Sequence, residues 1–340
     1  MGFLVLLFAA GLIAASLTVW AKAAAKWRRG APLVAYEPRG PFPAKLLDLF
    51  VIAVFYVLTN LAVYVVLYGA ATPSDGETPA LRDVVVALAA TALTNLLTMG
   101  LAILWIRGRS GASWADLGFG LDKAADDLRL GLAAFAAVSV PVYVLQGFLS
   151  QFVREQHPII ELLLKHREPW LLALSGASAV LVAPLAEEFF FRVLLQGWVE
   201  SLVAPAEPSP AETPSAAVQE PPIIFGPADP DHPYSPAPST AEAFEVEPLP
   251  VEEGAQLPPA ARIRVAGVRW DRAAILFSSA IFALMHLGHG AAPIPLFFLA
   301  LALGYLYQRT GRLLPSVTVH LCLNACSLAA LYLGLAAEVK

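Results

Sequence analysis

The sequence predicts an all-α fold: a polytopic transmembrane helix bundle of about eight helices with a long disordered cytoplasmic loop. Three observations predict it. Of 340 residues, 58% are hydrophobic and 14% charged, with a mean hydropathy of +0.65; soluble domains carry roughly 45–50% apolar and about 25% charged residues. Eight apolar runs approach the roughly 20 residues a helix needs to cross the hydrocarbon. Residues 204–261 hold ten acidic residues, from Glu207 to Glu253, no Lys or Arg, and 15 of the 28 prolines. That segment cannot bury enough apolar surface to fold, so it reads as a disordered linker. Two cysteines exclude a disulfide framework. The lack of a basic face excludes nucleic acid as a partner.

The runs are Gly2–Ala21, Leu46–Gly69, Val84–Ile106, Leu128–Val153, Trp170–Val199, Arg272–Leu287, Ile294–Tyr307 and Leu313–Leu335. The first lacks a basic n-region and is long, which fits a span better than a leader. The sixth and seventh are short and joined by a tight turn at 288–293. The chain divides into three N-terminal helices (1–110), a first core part (111–203), the linker (204–261) and a second core part (262–340). With the N-terminus outside, inside loops hold 16 of the 22 Lys and Arg, and outside loops four. Positive residues favour the cytoplasmic side, so both termini are expected outside and the linker in the cytoplasm. The Ala- and Pro-rich composition suggests a bacterial inner (cell) membrane. Trp114, Leu117, Phe119 and Leu121, just before the fourth run, are expected at the membrane interface.

Ionisable groups inside a span are costly and mark function by default. The fifth run carries Glu187-Glu188-Phe-Phe-Phe-Arg192. Glu188 and Arg192, four apart, share a helix face and can pair; Glu187 is turned about 100° away and is free for chemistry. The plain alternative, a charged helix end reaching the interface, fits poorly, since Glu187 lies about 18 Å from Val199. The sixth run carries Phe282-Ala-Leu-Met-His286, again at i, i+4. Alone, such a histidine is more often a satisfied core group. The last run carries His320-Leu-Cys-Leu-Asn324, which alone could be an interhelical hydrogen-bonding pair. Together, Glu187, His286, His320 and Asn324 fall at depths of about 18, 21, 11 and 17 Å from the cytoplasmic side, so all four can meet in one intramembrane cavity. Cys322 and Cys326, also four apart, read as small apolar filling. Asn60 and Asn95 read as interhelical hydrogen-bonding groups, and His157 and His166 receive no role.

The residue types suggest amide hydrolysis. A carboxylate beside an imidazole can act as general base to a water, and a His and an Asn opposite can donate to a developing oxyanion. The set Glu187, His286 and His320 could equally hold Zn²⁺, although the HExxH pattern is absent. Zinc and a metal-free mechanism are both open at this point.

These three motifs resemble the CPBP family of type II CAAX prenyl proteases and Abi-like, bacteriocin-processing membrane proteins, whose pattern is EExxxR, FxxxH and HxxxN on three helices. The resemblance runs from about Ser113 to Leu335 and includes Leu117-Gly118-Phe119 and Thr310-Gly-Arg-Leu-Leu-Pro-Ser316. It implies an intramembrane endopeptidase of eight-helix type acting on a membrane-embedded or lipid-modified peptide, as metalloprotease or glutamate-dependent enzyme. By the family pattern Glu187 and His286 activate water, His320 and Asn324 stabilise the oxyanion, and Glu188, Arg192 and Phe282 support the site. The acidic insert, between motifs 99 residues apart (Glu187 to His286), departs from the family's tighter spacing; it is a tether or the binding site of an unknown partner. The competing expectations are a catalytically silent scaffold, and an ion- or proton-coupled transporter, against which stands the lack of internal repeats.

Overall fold

The computed structural model describes residues 2–40, 42–68, 81–153, 169–203, 264–265 and 268–337. It contains eight helices: α1 (Gly2–Arg28), α2 (Leu46–Tyr68), α3 (Leu81–Ser110), α4 (Ala124–Leu149), α5 (169–203), α6 (Trp270–Leu284), α7 (Pro293–Thr310) and α8 (Leu314–Ala337). Just before α6, Arg264–Val265 and Val268–Arg269 form a two-residue antiparallel ladder. The predicted linker, 204–261, lies outside the described residues. Six helices, α1 to α5 and α8, are long and apolar enough to cross a membrane. The chain is therefore a multi-pass membrane helical bundle. α2 packs on α3, α1 and α8 on α4, and α6 on α7.

The expected sixth and seventh runs form helices but are not among those six. α6 ends at Leu284 rather than Leu287. The turn beyond it passes through Gly288 (φ 102°) and Gly290 (φ 61°), left-handed positions open to glycine. His286 therefore stands just past the helix, with its N–H donating to Ala283 O at 3.0 Å.

The interfacial expectation for 114–121 needs correction. Trp114 and Leu121 are exposed, but Leu117 is fully buried and Phe119 stacks on Phe189 of α5 at 5.9 Å between centroids. The cause is a turn at Gly118 (φ 80°) whose carbonyl accepts from Leu313 N–H at 2.9 Å. That bond folds the segment inward against α5 and the start of α8. Between α2 and α3 the side-chain bonds are made by the Thr59 and Thr98 hydroxyls at 2.7 Å and by Asp48 with Trp105 and Arg109, while Asn60 is exposed.

One end of the bundle is tied by a charged layer. Arg312 donates to both oxygens of Asp127, at 2.7 Å each, and to Glu37 at 2.5 and 3.1 Å. Lys123 also reaches Glu37, at 2.9 Å. Arg309 Nε donates to Val34 O at 2.8 Å. Arg39 pairs with Glu200 and lies 4.6 Å over the Tyr307 ring. The α1–α2, α3–α4 and α7–α8 connections, all predicted to share one side, thus gather at the same end as the close of α5.

Contact between α4 and α8 depends on Gly131, where an added Cβ would fall 2.6 Å from Thr318 Cβ and 2.8 Å from Pro315 O. Small residues permit such close approach between membrane helices. Gly131→Ala is expected to lower stability by about 1–3 kcal/mol through overpacking. Gly147→Ala on the same helix, where nothing lies within 4 Å, is the control, and thermal unfolding in detergent compares the two. A second expectation concerns acid. Hydrogen bonds from Arg312 and then Lys123 hold the Glu37 carboxyl down at about 2, from an ordinary value of 4.5. Folding thus favours its ionised form. The stabilisation is complete above about pH 4.5 and is lost as pH falls towards 2. Melting temperature should fall across that window more steeply in the wild type than in Glu37→Gln.

Candidate active site

The site is built on α5, whose geometry follows from its sequence. Pro184 lacks an N–H, and its ring crowds the carbonyl four residues back. Around it the helix widens: Ala177–Val182 and Phe189–Gln196 are π-helical, with Ala183 N–H donating to Ser178 O and Gly197 N–H to Arg192 O, each five residues back. Such widened turns occur frequently at functional sites. Between them lies 183–188, with both glutamates. Glu187 stands 18 residues from the start of α5 and 16 from its end, so roughly 25 Å of helix lies on either side.

Glu188 faces the bundle interior. It and Arg192 are wholly buried, with Arg192 Nε donating to Glu188 Oε2 at 3.1 Å. The other oxygen, Oε1, accepts from His320 Nδ1 at 3.0 Å. A carboxylate can only accept, so His320 carries a proton on Nδ1. Its Nε2 looks to Glu187 Oε2 at 3.7 Å, within ion-pair range but longer than a hydrogen bond. His320 therefore stands between the two carboxylates. Unlike Glu188, Glu187 keeps 27% of its side chain exposed.

Phe282, fully buried, is the hub between the helices. Its ring centre lies 4.8 Å from that of His286, 5.8 Å from His320 and 5.1 Å from Phe191, and the Arg192 guanidinium carbon is 5.5 Å from it. His286 Nδ1 donates to Phe282 O at 2.8 Å, which leaves Nε2 as its free lone pair. Both His286 and His320 lie within electrostatic reach of Glu187. The structure thus brings Glu187, Glu188, Arg192, Phe282, His286 and His320 into one cluster. Asn324, one turn beyond His320, has one amide hydrogen already engaged: Nδ2 donates to Ala179 O at 2.8 Å. Among the described residues, no three His, Cys, Asp or Glu side chains are arranged to hold a metal ion. Cys322 and Cys326 are free, partly buried thiols, and His157 and His166 lie outside the described residues.

A further part of the site was not singled out from the sequence. Glu188, Arg192, Gln196 and Glu200 recur every fourth residue. On a regular α-helix that spacing drifts about 40° per step; the wider π turns counter the drift and keep the four on one face. Arg192 Nη1 donates to Ser278 Oγ at 3.4 Å, and Ser278 Oγ donates to Gln196 Oε1 at 3.4 Å. Gln196 Nε2 donates to Gly304 O and to Glu200 Oε1, both at 2.9 Å. A Cβ on Gly304 would stand 2.8 Å from Gln196 Oε1, so the glycine makes room for this bond. The four-residue repeat of polar side chains through an apolar span was the signal available for Gln196 and Glu200.

Comparison with known families agrees with the geometry. The model of the type II CAAX prenyl endopeptidase Rce1-like family matches residues 252–326. The match is consistent with a CPBP family protein and supports protease chemistry in general. It covers the FxxxH and HxxxN motifs, and it stops short of the glutamates on α5. Neither the curated proteins nor the solved structures include a match to this chain.

Removing one partner of a buried ion pair leaves an uncompensated charge. Arg192→Met is expected to cost about 3–5 kcal/mol of stability. Most of that should return in Glu188→Gln/Arg192→Met, and chemical unfolding in detergent of the single and double variants measures the recovery.

Proposed function

We propose that this protein is an intramembrane endopeptidase that hydrolyses a peptide bond of a membrane-associated, CAAX-type lipid-modified protein or peptide. The observation that supports it is His320 bridging a neutralised carboxylate, Glu188, and a free one, Glu187, with His286 beside them in an apolar bundle. Glu188 is committed to Arg192 and to His320, so Glu187 is left to work on water.

In this reading a water sits between Glu187 and His286 Nε2. Glu187 takes one of its protons as the oxygen adds to the scissile carbonyl carbon. The charge that develops on the carbonyl oxygen is met by the second amide hydrogen of Asn324 and by His320 Nε2–H. In that role His320 is an imidazolium, with Nδ1–H on Glu188. Collapse of the tetrahedral intermediate breaks the C–N bond, and Glu187 returns its proton to the leaving nitrogen. One water is consumed. Phe282 packs both imidazoles and screens the Glu188–Arg192 pair from the reacting atoms. The 16-to-four bias of positive charge supports a cytoplasmic placement of the linker and of the charged end, with both termini outside in a cell membrane.

The test is cleavage of a farnesylated, fluorescently quenched CAAX peptide by the purified protein in detergent. Glu187→Gln should lower kcat by about 10²–10⁴-fold, the usual contribution of a positioned general base. Equal cleavage by both proteins would remove the proposal. Cleavage is expected to persist in excess chelator; loss that Zn²⁺ restores would overturn the metal-free mechanism.

A further inference from the structure

The π register ahead of the glutamates has a gap that one side chain fills. Ala183 N–H donates to Ser178 O, five residues back. The next donor in that register would be the N–H of residue 184, and its acceptor would be Ala179 O. Residue 184 is proline and has no N–H. Ala179 O is instead satisfied from another helix, by Asn324 Nδ2 at 2.8 Å. Because a carbonyl can only accept, the atom facing it is the amide nitrogen.

We propose that Pro184 and Asn324 form a register lock: the proline opens α5 at Ala179, and the Asn324 amide closes the gap from α8, thereby holding the turn that aims Glu187 at His320. Pro184 and Asn324 are then positioning residues for the hydrolysis proposed above, on which this inference rests. Asn324 thereby has two tasks, one for each amide hydrogen. The physical logic is that a buried carbonyl without a donor is unfavourable. Without Asn324, α5 gains by relaxing its widened turn, and loss of one inserted residue rotates everything beyond it by on the order of 100°. Glu187, three residues past Pro184, would swing away from His320.

The lock makes a prediction that an oxyanion role alone does not. Pro184→Ala returns an N–H to the backbone opposite Ala179 O, so it should make Asn324 dispensable for structure. The experiment is a double-mutant cycle of Asn324→Ala and Pro184→Ala in the full chain in detergent. It reads melting temperature, together with kcat and KM for the farnesylated peptide. Asn324→Ala alone should lower the melting temperature and lower kcat by about 100-fold, the scale of a misplacement of about 1 Å, with KM little changed. In the Pro184→Ala background the same substitution should leave the melting temperature nearly unmoved, while kcat still falls by the share that the oxyanion hydrogen bond supplies. An equal loss of melting temperature in both backgrounds would overturn the lock. Pro184→Leu supplies the same N–H with more bulk, and is read in the same way if Pro184→Ala does not fold. The melting-temperature arm is independent of catalysis: if the wild type cleaves nothing, the proposed function fails while the lock is still decided.

Discussion

Adjacent carboxylates in the middle of an apolar helix set the terms for the rest of this structure. An ionised carboxylate away from water is strongly unfavourable unless it is paired and hydrogen-bonded. Glu188 meets that demand in full: Arg192 binds one oxygen and His320 the other, with no exposure of either glutamate or arginine. Each partner imposes a further requirement. Arg192 needs acceptors and an aromatic face, which α6 supplies through Ser278 and Phe282. His320 fixes the register of α8 against α5. The packing of α5, α6 and α8 around one another can be read as the consequence of burying one charge. Glu187 escapes the arrangement because it points a third of a turn away, and it keeps part of its side chain exposed.

Helix irregularity is the means by which one element carries both functions. A regular α-helix could align Glu188 with Arg192, but it would carry Gln196 and Glu200 progressively off the same face. The π turns of 189–196 keep the stripe facing α6 and α7 while leaving Glu187 on the other side. Pro184 accounts for the first widening. The second has no comparable sequence cause; its bonds across to Ser278 and Gly304 hold it in place from outside the helix.

Much of this was legible in the sequence, for reasons that differ from element to element. The spans were visible because length and apolarity alone define them, and the Glu188–Arg192 pairing because i, i+4 contacts are local. The gathering of Glu187, His286 and His320 could be expected only by combining three motifs, since nothing local joins helices 100 residues apart. What could not be read is where long-range packing overrides composition. Leu117 and Phe119 have the look of interfacial residues, yet a single bond from Leu313 to Gly118 turns them inward. The engagement of Asn324 was equally invisible, because the carbonyl it satisfies exists only through a π turn that ends at a proline.

The polar stripe also connects two regions with different needs. Its inner end, Glu188, is wholly buried and holds His320 beside Glu187. Its outer end, Glu200, belongs to the charged layer: it accepts from Arg39, Gln196 and Gln308 together. Arg39 lies on the loop between α1 and α2 and packs on Tyr307 of α7, so that layer binds the N-terminal helices to the core. The bonds along the stripe run through an amide, a serine hydroxyl and a guanidinium. An amide does not relay protons readily, and a guanidinium keeps its own, so the stripe is ill suited to proton transfer. It is well suited to rigidity, because Glu188, Arg192 and Gln196 are buried and the stripe is bonded to neighbouring helices through His320, Ser278, Gly304 and Gln308. Buried dipoles in an apolar bundle are expensive to leave unpaired, and a ladder of cross-helix hydrogen bonds anchored in a salt-bridged end supplies that constraint from within the protein.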